Sequence, residues 1–126
     1  MQTHTCLEVD FFSEAREQFG QAIAWLNSPN CPKAHSELER QLGDRGMELL
    51  RALLQGQLNR LSDRERQQLS SRTPEPGVQV RTRARDIESD FGRVTLGRLG
   101  YKRKGRDADF PLDRELNLPE ELYSCC

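Results

Sequence analysis

Apolar and polar residues alternate with a helical period through the first part of the chain. Between residues 10 and 27 the apolar positions follow each other at steps of three and four: Phe12, Ala15, Phe19, Ala22, Ile23 and Leu26. This spacing predicts a helix with one apolar face. Asp10 or Ser13 can cap its start. Pro29 ends it, because proline disfavours helical geometry in the residue before it.

A second, longer helix is predicted from about residue 36. Ser36 and Glu39 have the spacing of a capping box, in which a hydroxyl and a carboxylate each bind a free backbone N–H group. One apolar stripe then runs to about residue 61: Leu38, Leu42, Leu49, Leu50, Leu53, Leu54, Leu58 and Leu61. A second capping box, from Ser62 to Glu65, predicts a break and a fresh turn of helix to about Leu69.

The period changes to two after residues 71–77, whose serine, proline and glycine content is typical of a linker. From 78 to 85, apolar or small residues alternate with one glutamine and three arginines, which predicts a strand with an arginine face. Residues 86–90 either extend this strand or form a bulge. A turn at Phe91-Gly92 then leads into a returning strand that ends in a basic cluster at 100–106. Residues 110–119 predict a short helix with a proline stop.

The order of these elements predicts an α+β fold, with N-terminal helices, one of them long and leucine-rich, followed by a basic β-hairpin and a short C-terminal helix. We divide the chain into a helical region at 10–70 suited to dimerisation, a linker at 71–77, a hairpin at 78–106 and a tail at 107–126. A lone hairpin is marginally stable in water, so it must pack on the helices or on another chain.

Composition leaves material for a modest core. Of the 126 residues, 35% are hydrophobic and 31% charged, and the mean hydropathy is -0.80. We therefore expect part of the surface to need a partner. No run approaches the roughly 20 apolar residues that cross a bilayer, and the first residues lack the pattern of a signal peptide. The expected location is the cytoplasm, in association with the nucleoid, with no membrane partner.

The formal net charge is only -1, but basic residues concentrate in the hairpin. Between residues 78 and 106 there are three acidic side chains and nine basic ones, namely Arg81, Arg83, Arg85, Arg93, Arg98, Lys102, Arg103, Lys104 and Arg106. These nine are the candidate nucleic-acid contacts, since a basic two-stranded ribbon can follow phosphates and fit the major groove. The same pattern also fits a solvated strand face, or one that pairs with acidic helices of this chain or of a partner.

Histidine and cysteine offer two short pairs of zinc ligands, His4 with Cys6 and Cys31 with His35. Neither spacing is that of a known finger or ribbon, so we predict no metal site, no cofactor and free thiols. The sequence contains no P-loop, no nucleophile elbow and no His-Glu-x-x-His pair. A two-metal site would need carboxylates on a rigid sheet, which this chain does not supply. We predict that it is not an enzyme and has no catalytic residues.

Three stretches in this order resemble the amino-terminal region of ISKra-type insertion-sequence transposases. The leucine-rich segment 38–55 is similar to that family's first long helix. Residues 91–101, FGRVTLGRLGY, look like its "FGEVxVxRxxY" hairpin, and residues 111–124, PLDRELNLPEELYS, look like its "PLDxxLNLPxxxYS" motif. The resemblance covers most of the chain from about residue 12 to 124.

This resemblance implies the leading module of a transposase without the DDE nuclease domain, so no catalytic residue carries over. The implied function is a DNA-binding or assembly module whose partner is double-stranded DNA such as transposon ends, with a second copy or full-length transposase as a protein partner. An alternative stays open. The chain can be a stand-alone or inhibitory module derived from a transposase that binds another protein. An open, continuous positive face on the hairpin favours DNA, and a covered one favours protein interaction.

Overall fold

The computed structural model describes residues 9–71 and 75–119. Helix α1 spans Ser13–Leu26 and helix α2 spans His35–Ser70. The strands β1, Val78–Ser89, and β2, Gly92–Arg103, pair antiparallel, and helix α3, Pro111–Glu115, follows them. The predicted α+β arrangement is confirmed, with helices first, then a hairpin and a short C-terminal helix. Within the described ranges no helix is both long and apolar enough to span a membrane.

α1 lies antiparallel to the first half of α2. Before α1 begins, the chain approaches Gly56 so closely that a Cβ atom there would lie 2.4 Å from the Phe11 carbonyl oxygen and 2.8 Å from the Phe12 ring. At the other end of α1, the Arg45 guanidinium lies 4.5 Å from the centre of the Trp25 ring. α1 therefore starts beside the middle of α2 and ends beside its first turns.

Asp10 stabilises the first turn of α1 from outside the helix. Its Oδ1 accepts a hydrogen bond from the Phe12 N–H at 3.0 Å, and its carboxylate pairs with Arg16 at 3.0 Å. The Phe12 N–H is the main reason why the pKa of Asp10 lies below its ordinary value. The residue in the N-cap position is Phe12, which makes no side-chain cap. The sequence thus predicted the contribution of Asp10 but not the exact start of the helix.

α2 is one continuous helix of 36 residues, and the predicted break near Ser62 is wrong. Neither predicted capping box forms at a helix start. Ser36 lies inside the first turn behind an Ala34 N-cap that makes no side-chain bond. Ser62 is buried against the hairpin, and Glu65 accepts a hydrogen bond from the backbone of β2. In the second motif, Ser62 packs against Gly97 of β2 and Glu65 binds the backbone of β2, so neither residue caps a helix.

The hairpin pairs all twelve residues of each strand without a bulge, from Val78 with Arg103 to Ser89 with Gly92. Its two-residue turn is Asp90-Phe91, one position before the predicted turn. Gly92 has φ of +122°, a conformation that side chains rarely adopt. The Ser89 hydroxyl closes the turn, because it donates to the Gly92 carbonyl at 2.6 Å and accepts from the Phe91 N–H at 3.1 Å.

α2 runs along the outer edge of β2 and in the same direction. The Gln55 amide binds both backbone groups of Thr95, and ten residues later Glu65 binds the Leu99 N–H. Ten helical residues advance about 15 Å and four strand residues about 13 Å, so the helix and the strand cover nearly the same distance between these two contacts. The side chains of α2 therefore bind backbone groups at the free edge of β2 that would otherwise be unpaired.

The core lies between α2, β2 and α3. Its buried members are Leu58, Leu61, Val94, Leu96 and Leu112. The leucines of α2 predicted as one stripe are therefore divided between two sides of the helix. The later ones pack on the hairpin, while three earlier ones remain 39–43% exposed, namely Leu42, Leu50 and Leu53.

Candidate nucleic-acid interface

The register places the arginines of β1 on one face of the hairpin, which we call the arginine face. It carries Gln79, Arg81, Arg83, Arg85 and Ile87 of β1, and Val94, Leu96, Arg98, Gly100 and Lys102 of β2. This face is continuous with the core, because its Ile87, Val94 and Leu96 pack under α2 and α3. The sequence pattern predicted the shared face of the arginines but not that half of the face is interior.

Arg85 and Arg98 lie in that interior half, so they are not surface contacts for phosphate in this conformation. They are only 9% and 2% exposed, and both pair with one carboxylate of Asp113, at 3.1 Å and 2.5 Å. Arg85 also donates to the Pro119 carbonyl at 2.6 Å, and Arg98 stacks 3.9 Å over the Phe110 ring. Their role is to fasten the segment containing α3 onto the hairpin.

The other cations lie between the middle of the hairpin, where Arg83 is opposite Arg98, and its open end at the end of β2. The set, which we call the basic end, comprises Arg81, Arg83, Lys102, Arg103, Lys104 and Arg106, and all six are exposed. The chain turns sharply here, with Gly105 at φ +80° and the Lys102 ammonium donating to the Arg106 carbonyl at 2.7 Å. A backbone bridge from Tyr101 to Asp109, with both bonds at 2.8 Å, holds the returning segment in place.

Ion pairing neutralises only part of the basic end. Arg103 pairs with Glu75 at 3.0 Å, and both side chains are at least half exposed. Asp109 pairs with Arg114 of α3, outside the set. Among the described residues Arg81, Lys102, Lys104 and Arg106 have no ion-pair partner. The basic end is therefore a surface of positive charge that solvent and ligands can reach.

Arg93 lies at the other end of the hairpin and does not join this set. Its guanidinium binds Glu88 at 2.5 Å, and this carboxylate is the main reason why the pKa of Arg93 lies above its ordinary value. Asp86 and Asp90 are the neighbouring charges near the turn. Nine strand residues separate Arg93 from Lys102, which is about 30 Å. The hairpin is therefore charge-polarised along its length, acidic at the turn and basic at the open end.

Glu65 contributes a half-buried carboxylate beside the basic end. Burial raises its pKa above the ordinary value, the Leu99 N–H at 2.8 Å lowers it, and the carboxylates of Glu115 and Asp113 raise it further. A cleft of about 610 Å³ lies next to it, between the end of α2, the start of β1 and α3. Its charged lining comprises Arg64, Glu65, Glu75, Arg103, Arg106, Asp107, Asp109 and Glu115. With five acidic and three basic side chains, the cleft itself does not suit an anion.

The two candidate pairs of zinc ligands cannot be compared as pairs, since His4 and Cys6 lie outside the described residues. Cys31 donates weakly to the Pro32 carbonyl, with Sγ to O at 3.7 Å, and His35 lies 3.7 Å from Glu39. Within the described ranges no three metal-ligating side chains come together.

We compared the chain with known protein families, curated proteins and solved structures. No family model, curated protein or solved structure matches the chain.

Sequence reasoning missed Asp113, Glu65 and Gln55, which hold the hairpin in place. The motif around Asp113 was noticed only as part of a resemblance, and a signal for its role was present: two arginines on the face that also carries Val94 and Leu96 require a buried anion.

Proposed function

We propose that this chain binds the phosphate backbone of double-stranded DNA through the basic end of its hairpin. In this proposal it acts as the leading, non-catalytic module of a transposase, as its sequence resemblance implies. The observation that carries the proposal is the presence of six exposed cations along the open half of the hairpin and the turn after it, four of them without an ion-pair partner among the described residues. Arg85 and Arg98 have no part in it, because Asp113 holds both in the interior.

The spacing of the cations suits a phosphate chain. Arg81 and Arg83 project from the same strand face two residues apart, about 6.8 Å, which is twice the axial rise of about 3.4 Å between phosphates of one strand. Lys102 shares this face on the neighbouring strand. These contacts recognise charge and spacing rather than base edges, so the affinity they provide is independent of sequence.

The polarity of the hairpin gives the docking a direction. Asp86, Glu88 and Asp90 near the turn repel phosphate, whereas the open end attracts it. DNA therefore approaches the end of β2 and the following turn. The low net charge of the whole chain does not oppose this, because exposed charges farther apart than about 8 Å are largely screened at physiological salt.

The alternative function, binding to another protein, draws on different observations. The positive face is continuous only at its open end, since α3 covers Arg85 and Arg98. In addition, α1 and the first half of α2 expose several large apolar side chains. In a pure protein-interaction module, acidic groups of α1 and α2 would cover the basic end. Within the described ranges these groups do not pair with it.

A salt series of duplex binding tests the proposal. The variant Arg81→Ala/Lys104→Ala/Arg106→Ala removes three cations without breaking an ion pair seen among the described residues. We expect binding at low salt to weaken for all duplex sequences, and the slope of log K against log salt to fall in magnitude by up to about 3. The charge-matched control Lys33→Ala/Arg60→Ala/Arg66→Ala alters exposed cations away from the hairpin and should leave the slope unchanged. Equal slopes in the two variants, or a wild-type chain that does not bind at low salt, would contradict the assignment.

A further inference from the structure

The first half of α2 and the α1 helix form a two-helix arm that buries almost nothing. Ala15 is the one buried residue of α1, and the buried residues of α2 all lie at Ala52 or later. The hairpin reaches α2 only from about Arg51 onward, where Gly92 lies alongside. Isolated short helices are marginal in water, and most of their stability comes from packing of an apolar face. The described part of the chain does not supply that packing to the arm.

One side of the arm is polar and ties its helices together. Arg51 binds Glu14 of α1 at 3.3 Å and Glu48 of α2 at 2.9 Å. Gln18 of α1 donates to the Glu14 carboxylate at 3.2 Å. This seam marks the side of the helix pair on which charged groups are satisfied.

The opposite side is apolar on both helices. At 100° per residue, one set of exposed side chains on each helix lies away from the seam. The two sets lie on the same side of the antiparallel pair. We call this the apolar arm face, and its members are Phe19, Ile23, Leu26, Leu42, Leu50 and Leu53, each 39–56% exposed. Side chains of this size leave on the order of 80 Å² each at such exposure, or roughly 500 Å² together. Monomeric proteins rarely expose a larger contiguous patch.

We propose that the apolar arm face binds a second copy of this chain, with the two α2 helices packed antiparallel. A stable dimer of standard size buries about 800 Å² per partner, and the apolar set with its surrounding glycines and stems approaches that area. An isologous contact needs a patch that fits itself, and a face formed by two helices offers a groove in which the α2 helix of the other copy can lie.

The helix dipoles favour the antiparallel direction. Antiparallel packing makes the dipoles of the two α2 helices point in opposite directions, whereas parallel packing would place like ends of the dipoles side by side. With the contact centred near residue 46, residues 35–57 of the two helices lie side by side and the residues after 57 extend past the contact.

Glycines mark the crossing point. Gly46 lies midway between Leu42 and Leu50, and a Cβ atom at Gly46 or Gly43 would meet no heavy atom within 4 Å. Two backbones can therefore approach closely at this position. A two-fold axis at Gly46 places Leu42 of each copy against Leu50 of the other.

Sedimentation equilibrium over a concentration series, with two oppositely charged variants, tests this proposal. For the wild type we expect the mass of two chains at micromolar concentration. Leu42→Glu/Leu50→Glu and Leu42→Lys/Leu50→Lys change exposed residues and should each raise the dissociation constant at least 100-fold. An equimolar mixture of the two variants should recover a dimer, because a carboxylate introduced into one copy then faces an ammonium introduced into the other across the axis. Val9→Glu, at an exposed apolar residue outside the arm face, is the control and should leave the dimer intact.

A wild-type chain that stays monomeric at about 100 µM would overturn the proposal, even if the face then binds another protein or a lipid surface. A mixture that stays monomeric while each variant is folded by circular dichroism would overturn it too, since the antiparallel contact would be absent. The test is independent of DNA binding, because neither variant touches the basic end. Duplex binding at low salt by the monomeric variants would show that the two proposals succeed or fail separately.

Discussion

The side-chain amide of Gln55 forms two hydrogen bonds with the backbone of Thr95. Its Nε2 donates to the Thr95 carbonyl at 2.7 Å, and its Oε1 accepts from the Thr95 N–H at 2.8 Å. This is the pairing that a neighbouring strand would supply. A single glutamine of α2 thus replaces one residue of a third strand, 40 positions away in the chain.

We expect Gln55→Ala to lower the free energy of unfolding by about 1 kcal/mol, because both Thr95 backbone groups lose their protein partner and turn to water. Urea unfolding measures this change. Hydrogen exchange gives the specific readout, since the Thr95 amide should exchange much faster while the Leu99 amide, bound by Glu65, keeps its protection. Gln21→Ala, at an exposed glutamine of α1, is the matched control. Unaltered protection of Thr95 would show that Gln55 does not bind it in solution.

Asp113→Asn should destabilise the protein by about 3–5 kcal/mol, because it removes the negative charge that pairs with the buried guanidinium groups of Arg85 and Arg98. Thermal unfolding measures the loss. Asp109→Asn breaks the exposed pair with Arg114 and should cost no more than about 1 kcal/mol. If both variants unfold alike, the cluster around Asp113 is not a buried ionic anchor.

Two glycines of the helices should respond to alanine with opposite signs. In helix interiors alanine is favoured over glycine by about 1 kcal/mol, so Gly20→Ala, with no atom near the added Cβ, should stabilise the chain by that order. Gly56→Ala should destabilise it by about 1–3 kcal/mol, because the Cβ would lie 2.4 Å from the Phe11 carbonyl oxygen. Chemical denaturation of the two variants measures both signs. A stabilising Gly56→Ala would disprove the close approach of the chain before α1 to α2.

Glu65 predicts a pH dependence of stability. Its pKa is raised in the folded state, so the folded state binds more protons than the unfolded state above the ordinary pKa of 4.5. Stability from this group is therefore highest below that value and falls as pH rises through the folded pKa. Glu65→Gln keeps an oxygen for the Leu99 N–H and removes the charge. We expect this variant to be at least as stable as wild type at pH 7, with a smaller loss of stability between pH 4.5 and 7 in urea titrations.

Glu65→Ala separates the charge of this residue from its hydrogen bond. It removes the acceptor as well as the charge, so the Leu99 N–H is left without its partner, at a cost of about 1–3 kcal/mol. A Glu65→Gln variant that loses as much stability at pH 7 as Glu65→Ala would contradict the assigned burial of the carboxylate.

Periodicity in the sequence predicted the element types and their order, but it could not predict what covers each face. The alternation at 78–85 showed that Arg81, Arg83 and Arg85 share a face. The burial of Arg85 depends on Asp113, 28 residues away, and on a register that aligns Arg85 with Leu96. Information of that kind lies in long-range contacts, which local spacing does not contain.

The leucine stripe of α2 is a second case in which local spacing did not predict which element covers each face. Spacing at three and four residues predicted one apolar face, but a helix of 36 residues turns about ten times, and its neighbours change along its length. Leu58 and Leu61 meet the hairpin, whereas Leu42 and Leu50 remain exposed. A break at Ser62 was wrongly predicted because Ser62 is buried inside the continuous helix and Glu65 binds the backbone of β2 instead of a helix start.

Because α2 is one unbroken helix, it fixes the distance between the groups along its length. From Gly46 to Glu65 the helix advances about 28 Å, and the basic end lies beyond Glu65. In a dimer that crosses at Gly46, the two basic ends would then stand at least about 57 Å apart, or about 17 base pairs of duplex. Such a dimer would be a bivalent clamp of fixed span, whose second contact gains from effective concentration only on sites of matching separation.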